Sequence, residues 1–204
     1  MQRKLISSDP QRGAILARIR ATWQHLPKHG VMLFFDIKPV AVKAYGGRCY
    51  TSAKELVLPK AQKTRGMFYL YLLYDGTSGR VRWASLPHKD SSPICHFMRA
   101  VRRWYGDQEV WVVLDQDTAH PRKSRQTRRT MRELHLHWIS LPKRSPDDNP
   151  AEMIGSDIQQ SILDCSNDAD AKATQRRISA HLRGRNRRRD RWLQIHYLPN
   201  SNKH

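Results

Sequence analysis

The sequence predicts an α/β fold, a mixed sheet flanked by helices, and three observations predict it. Two apolar runs, 31–35 and 109–114, have the length of buried strands, and each is followed by a carboxylate, Asp36 and Asp115. Two further β-rich runs, 67–74 and 80–86, flank the spacer Asp75-Gly76-Thr77-Ser78-Gly79, which reads as a hairpin turn. Helical patterns occupy the stretches between, an alternation that places helices on the faces of a sheet.

Each element has its own signal. Residues 9–26 read as an opening helix, with Asp9 as cap, Pro10 in the first turn and Ile15, Leu16, Ile19, Trp23 and Leu26 on one face. Residues 40–65 read as short strands and loops. Ser92 and Pro93 open a helix striped by Ile94, Phe97, Met98, Val101 and Tyr105, which Gly106 stops. The basic stretch 122–134 reads as helical, and 134–141 alternates as a strand. Asn149 caps and Pro150 starts a last helix with Ile154, Ile158 and Ile162 inside.

The chain has 204 residues, enough for one domain, or one domain with an appendage. A hydrophobic fraction of 39%, with six Trp and seven Tyr, excludes a disordered chain. No apolar run reaches the roughly 18 residues of a membrane span. The first residues form no apolar signal segment. Cys49, Cys95 and Cys165 are odd in number and widely spaced, which points to a reducing, cytoplasmic setting and no disulfide framework.

Charge names the partner class. Thirty-seven Lys and Arg against 18 Asp and Glu leave +19, as expected of a protein that binds a polyanion, here nucleic acid. Arg122, Lys123, Arg125, Arg128, Arg129 and Arg132 form one cluster without an acid between them. A second holds Arg176, Arg177, Arg183 and Arg185, then Arg187, Arg188, Arg189 and Arg191. Arg dominates there, suiting bidentate phosphate contacts. The plainer reading of both is a solvated face that keeps the protein soluble.

Within this basic chain, Asp36, Asp115 and Glu152 stand at three structural addresses, two strand ends and the first turn of a helix. Carboxylates at strand ends face the crevice where ligands bind in α/β sheets. Converging acids repel and call for a counter-charge, and hard oxygen donors favour Mg²⁺ or Mn²⁺. Two such ions about 4 Å apart serve phosphodiester displacement. Each acid also has a plainer explanation. Asp36 and Asp115 suit strand-end turns, and Glu152 stands at the N3 position of a capping box with Asn149. Asp147 and Asp148 read as turn and cap residues, and Asp117 stays open as a further ligand.

Phe34-Phe35-Asp36, then 114–120 (Leu-Asp-Gln-Asp-Thr-Ala-His), then 145–152 (Ser-Pro-Asp-Asp-Asn-Pro-Ala-Glu) resemble the three catalytic blocks of DDE-type transposases. The nearest branch is the bacterial insertion-sequence relatives of the mariner superfamily. Thirty-six residues separate Asp115 from Glu152, close to that branch's spacing. The resemblance covers about 31–163. Ile37, Gln116 and Pro142-Lys143-Arg144 depart from the family pattern without removing an acid.

The resemblance implies a ribonuclease H-like fold and a Mg²⁺-dependent DNA endonuclease and strand transferase. Asp36, Asp115 and Glu152 would be both catalytic and metal-holding. It also implies supporting roles for His120, five places after Asp115, and for Asn149. The partners would be element ends and target DNA. A homodimer on DNA, a nucleoid-associated location and a separate helix-turn-helix subunit complete the expectation, the last because only 35 residues precede Asp36. The expected organisation is a helical segment over 1–30, the catalytic domain over 31–165 and an arginine-rich helical extension over 166–204. The rival reading is a non-catalytic DNA-binding protein, truncated or dependent on a partner.

Other signals stay structural at this level. Trp104, Trp111 and Trp138 read as core residues, His135 and His137 as sheet residues, and Cys95 as part of a helix stripe. No Walker loop, GxGxxG or Ser-His-Asp order is present.

Overall fold

One long strand frames the molecule. β1 (Val31–Ala41) sends Met32 and Phe34 to one side and Leu33 and Phe35 to the other, all fully buried, as a strand covered on both faces requires. β2 (Met67–Asp75) and β3 (Val81–Leu86) follow as an antiparallel hairpin on one flank. β4 (Val110–Leu114) and β5 (Leu136–Ser140) add in parallel on the other, giving the order β3-β2-β1-β4-β5. The computed structural model describes residues 9–43, 64–117, 119–164, 166–188 and 192–199. Most of the stretch expected as short strands and loops, together with Cys49, Cys165, Arg189 and Arg191, lies outside the described residues.

The hairpin turn is built by Asp75, whose carboxylate accepts from Thr77 N at 2.8 Å, Ser78 N at 3.1 Å and the Tyr105 hydroxyl at 3.2 Å. Gly79 closes it at φ 67°, a left-handed conformation that glycine adopts without strain.

Helices cover both faces. α1 (Arg12–Gln24) lays Leu16, Ile19 and Trp23 on the Phe34 side. It shares that face with α4 (Pro150–Ile158), which runs on as a π turn over Gln159–Leu163, and with α5 (Ala171–Arg187). α2 (Ser91–Tyr105) and α3 (Arg125–Glu133) cover the Phe35 side through Ile94, Phe97, Met98, Val101 and Met131. Each such side chain contributes about 1.5–3 kcal/mol of burial.

Segment 192–199 joins the core on the Phe34 side. Tyr197 and Leu198 are buried, Arg20 Nε donates to the Tyr197 carbonyl at 2.9 Å, and Leu193 N donates to the Tyr74 hydroxyl at 2.9 Å. At the outer edge of β3 a side chain imitates a strand. Val81 N donates to Asn186 Oδ1 at 2.9 Å and Asn186 Nδ2 returns a bond to the Val81 carbonyl at 2.8 Å.

Three expectations need correction. The first helix starts at Arg12, because Asp9 forms a turn instead, accepting from Gln11 N and reaching across to Lys143 N at 2.8 Å. The strand expected from 134 begins at Leu136, after His135 turns the chain at φ 50°. Asp36 is not at a strand end. β1 continues through it because β2 still pairs there, with Leu72 opposite Asp36. On the other flank the β4 pairing ends at Phe34. Pro39, which lacks an N–H, is tolerated beyond that point, where one side of β1 has no strand neighbour.

Candidate active site

The acid groove is made by what happens after Phe34 in β1 and after Leu114 in β4. β4 stops, Asp115 is the next residue, and Asp36 lies past the last rung joining the two strands. α4 closes the opening from above. Asn149 straps it down: its Nδ2 donates to the Phe35 carbonyl at 3.1 Å, while its Oδ1 caps Ala151 N at 3.2 Å. One side chain thus fixes the helix that carries Glu152 to the strand that carries Asp36. Gly155, one turn after Glu152, faces β1 beside Asp36, at a distance that a methyl group would fill in ordinary contact. A Cβ there would sit 4.0 Å from Asp36 Oδ2 and 3.5 Å from Lys38 Cδ.

The three carboxyl groups feel one another. Burial raises the Asp36 carboxyl above its ordinary value, and the charge of Asp115 raises it further. Glu152 is pushed up to about 7 by burial and by the charge of Asp36, with Lys38 opposing and Asp115 adding. Asp115 goes the other way. Burial raises it, but His120 more than offsets this and holds the group below the usual carboxylate range. His120 Nδ1 lies 2.5 Å from Asp115 Oδ1 and 3.1 Å from the Asp115 carbonyl. An ionised carboxylate only accepts, so Nδ1 carries the proton of this bond. The ring itself is 3% exposed, packed on Phe35, and its Nε2 is a buried nitrogen without a hydrogen-bond partner among the described residues.

The capping-box alternative for Glu152 fails on its reciprocal bond, because Asn149 N already donates to the Pro146 carbonyl at 2.9 Å. Asp148 does not join the acids. It is 1% exposed, gripped by Arg12 Nε at 2.8 Å and Nη2 at 2.6 Å, bonded to Ser145 and approached by His196 Nε2 at 3.3 Å. Its carbonyl accepts from the Tyr197 hydroxyl at 2.6 Å. Asp117 pairs with Lys89 at 3.2 Å.

Among the described residues, no group of three His, Cys, Asp or Glu side chains is disposed to hold a metal ion. The donor chemistry still fits a hard divalent cation: of three carboxyl groups, two are raised partly by a neighbouring carboxylate's charge and would be relieved by one.

Asp115, Glu152, Lys123, Lys143 and Arg144 line a groove of about 410 Å³. Of the arginines expected to meet phosphate, Arg122, Arg125, Arg183, Arg187 and Arg188 are exposed, as is Lys123. Arg128 is spent locally on the Pro121 and Arg122 carbonyls, and Arg129 pairs with Glu133 at 2.7 Å. Arg185 is a correction. It is 5% exposed, donates to the Gly79 carbonyl at 3.0 Å and lies over the Tyr74 ring, so it holds α5 to the hairpin instead of facing DNA. The two basic clusters lie on opposite flanks, α3 near β5 and α5 near β3. Sequence reasoning missed Arg12, whose role is invisible without its partner 136 residues away, and Lys143 and Arg144, noted there only as departures.

No family model matches the sequence, and no curated protein matches it. Solved structures do. The catalytic domain of Mos1 mariner transposase superposes with a TM-score of 0.62 at 12% identity, over 90% of this chain and 85% of that one. The mariner Mos1 paired-end complex with Mg gives 0.67 at 14% identity, over 94% of this chain and 59% of that one. The Mos1 strand transfer complex gives 0.66 at 12% identity, over 90% and 58%. The chain therefore spans under two thirds of the Mos1 polypeptide in those complexes. The likeness shows the fold, a ribonuclease H-like sheet of the kind found in a transposase catalytic domain.

Proposed function

We propose that this chain is the catalytic part of a DDE-type transposase of the bacterial insertion-sequence branch, cutting and joining DNA phosphodiesters at element ends. The observation that carries the reading is the placement of Asp36 on β1, Asp115 directly after β4 and Glu152 in the first turn of α4, three separate elements of a ribonuclease H-like fold in a +19 chain. These three residues would hold two Mg²⁺ or Mn²⁺ ions. When bound, such ions activate an attacking oxygen and stabilise the leaving one.

The chain's own residues prepare this. His120 keeps Asp115 ionised and turned toward the groove. Asn149 sets the height of Glu152 above Asp36. Lys123, Lys143 and Arg144 supply positive charge along the groove walls, where a phosphodiester backbone would lie. No helix among the described residues is long and apolar enough to cross a membrane. A nucleoid location, a homodimer on DNA and a separate helix-turn-helix subunit belong to the same proposal.

The test is nicking of element-end DNA in Mg²⁺ by wild type and by Asp115→Asn. Wild type cuts and the variant loses at least about 100-fold, the range for removal of a group that stabilises charge in the transition state. Equal cutting by both ends the assignment. Binding of DNA without cutting, and without carboxylate-dependent uptake of Mn²⁺, establishes the passive reading instead.

A further inference from the structure

The acid groove does not end at the acids. Its Lys143 and Arg144 wall is also a wall of a second cleft of about 480 Å³, bounded on its far side by Gln11 and Arg122. Gln11 and Arg122 in turn line a third, of about 490 Å³, between α1 and the outer edge of β5. Three hollows that share wall residues follow one another in a row, from Asp115 and Glu152 past the start of α1 to the margin of the sheet, and are taken together as one channel.

Beyond the acid end its walls are mainly cationic. Lys123, Lys143, Arg144, Arg122 and Arg18 line it against Asp115, Asp117 and Glu152 at the acid end and Asp9 beyond them. The Asp9 carboxylate is already engaged by two backbone N–H groups. The far end is aromatic. The ring of Trp111, on β4, is only partly covered and stacks on exposed His137, on β5, at 4.6 Å between centroids and 21° between planes. Trp111 Nε1 donates to Glu109 Oε1 at 2.7 Å, which fixes the ring's orientation. Trp111, expected in the core, packs on it by one part only and with His137 forms a shelf beside Arg18 on the sheet face next to the β5 margin.

A cationic channel ending on a stacked aromatic pair is the arrangement that holds single strands, phosphates on the basic walls and a base on the ring. Duplex DNA hides its base faces and gains nothing from such a shelf. Resting on the nucleic-acid reading of the acid groove, we propose that the channel takes an unpaired DNA end continuing from the scissile site. Its phosphates pass Arg144, Arg122 and Arg18, and a base covers His137 and Trp111.

The experiment needs no catalysis. With EDTA present, anisotropy measures the affinity of the full chain for labelled blunt duplex and for the same duplex with a single-stranded overhang of either polarity. Wild type prefers one overhang about tenfold, as one stacked base allows. Arg18→Ala/His137→Ala brings the preference to parity, while Arg99→Ala, an exposed change on α2 across the sheet, leaves the ratio unchanged. Iodouracil placed along the overhang and irradiated crosslinks to Trp111 or His137 in the unaltered protein, which keeps the test valid should the double variant fold poorly. Equal binding of blunt and overhang DNA, a preference that survives the double variant, or crosslinks confined to other residues overturns the channel and leaves the catalytic reading standing. An edge at β5 that pairs with a second copy, seen as a concentration-dependent dimer lost in the double variant with DNA affinity unmoved, also overturns it. No affinity for any DNA removes both readings.

Discussion

Replacing Arg12 by Ala takes a bidentate partner from a carboxylate that is 1% exposed. Removing one half of a buried ion pair costs about 3–5 kcal/mol. Here the Arg12 side chain is itself 29% exposed, and Ser145 and His196 still face Asp148, so about 2–3 kcal/mol is expected. For a chain of this size that lowers Tm by about 5–10 °C. The loss has a pH signature. Burial pushes the Asp148 carboxyl up, but the Arg12 and Ser145 hydrogen bonds outweigh it and hold the group below the ordinary value. A carboxylate lowered on folding stabilises the native state above its unfolded value of about 3.9, and that contribution disappears as pH falls through the folded value. Without Arg12, burial prevails and the carboxyl moves up. The gap between wild type and variant is therefore widest near neutrality and narrows as pH falls toward about 3. Urea unfolding followed by tryptophan fluorescence at a series of pH values measures it. A gap independent of pH, or below about 0.5 kcal/mol at neutrality, the level of an ordinary surface substitution, refutes the reasoning.

Glu152, raised on folding to about 7, favours the native state when protonated and opposes it as pH rises through that value. Glu152→Gln should therefore stabilise the metal-free protein at pH 8 and not at pH 5 in thermal melts; Mg²⁺ should raise the wild-type Tm more at pH 8, and equal melts would contradict the coupling. Asn149→Ala removes both a cap and the strap to Phe35, an expected loss of about 1–2 kcal/mol, whereas Asn149→Asp keeps the cap and sets a carboxylate against a carbonyl. If both variants cut DNA like wild type, the strap does not position Glu152. Gly184 lies inside α5, and a Cβ there would meet nothing within 4 Å. Gly184→Ala should add about 0.5–1 kcal/mol by calorimetry.

Local signals carried the sequence furthest. α2 was legible because stripe and stop agree, though the cap is Asp90, accepting from Ser92 N, two places before the Ser92 that the sequence offers as the opening residue. The sheet was legible because its inner strands are continuous apolar runs. What depends on pairing was not. Asp36 reads as a strand end from hydrophobicity, yet β2 carries the strand five residues further. Arg185 reads as a solvent arginine from composition, but it continues the buried stripe Ile178 and Leu182 at helical spacing, and that phase was the available clue. The addresses of Asp115 after β4 and of Glu152 in the first turn of α4 were legible, and both residues line one groove. The grip of Arg12 on Asp148 and the shelf at Trp111 join segments far apart in the chain and carry no local mark.

Asn186 has a consequence for how the protein behaves in concentrated solution. By occupying the donor and acceptor of Val81 it denies one margin of the sheet to a visiting strand. The arginines of α5 beside it add a repulsive field that fades once salt shortens its reach to a few ångströms. Self-association through that margin is therefore blocked twice, once by geometry and once by charge. Stripping the amide would leave the second barrier alone, so turbidity would come to depend on ionic strength.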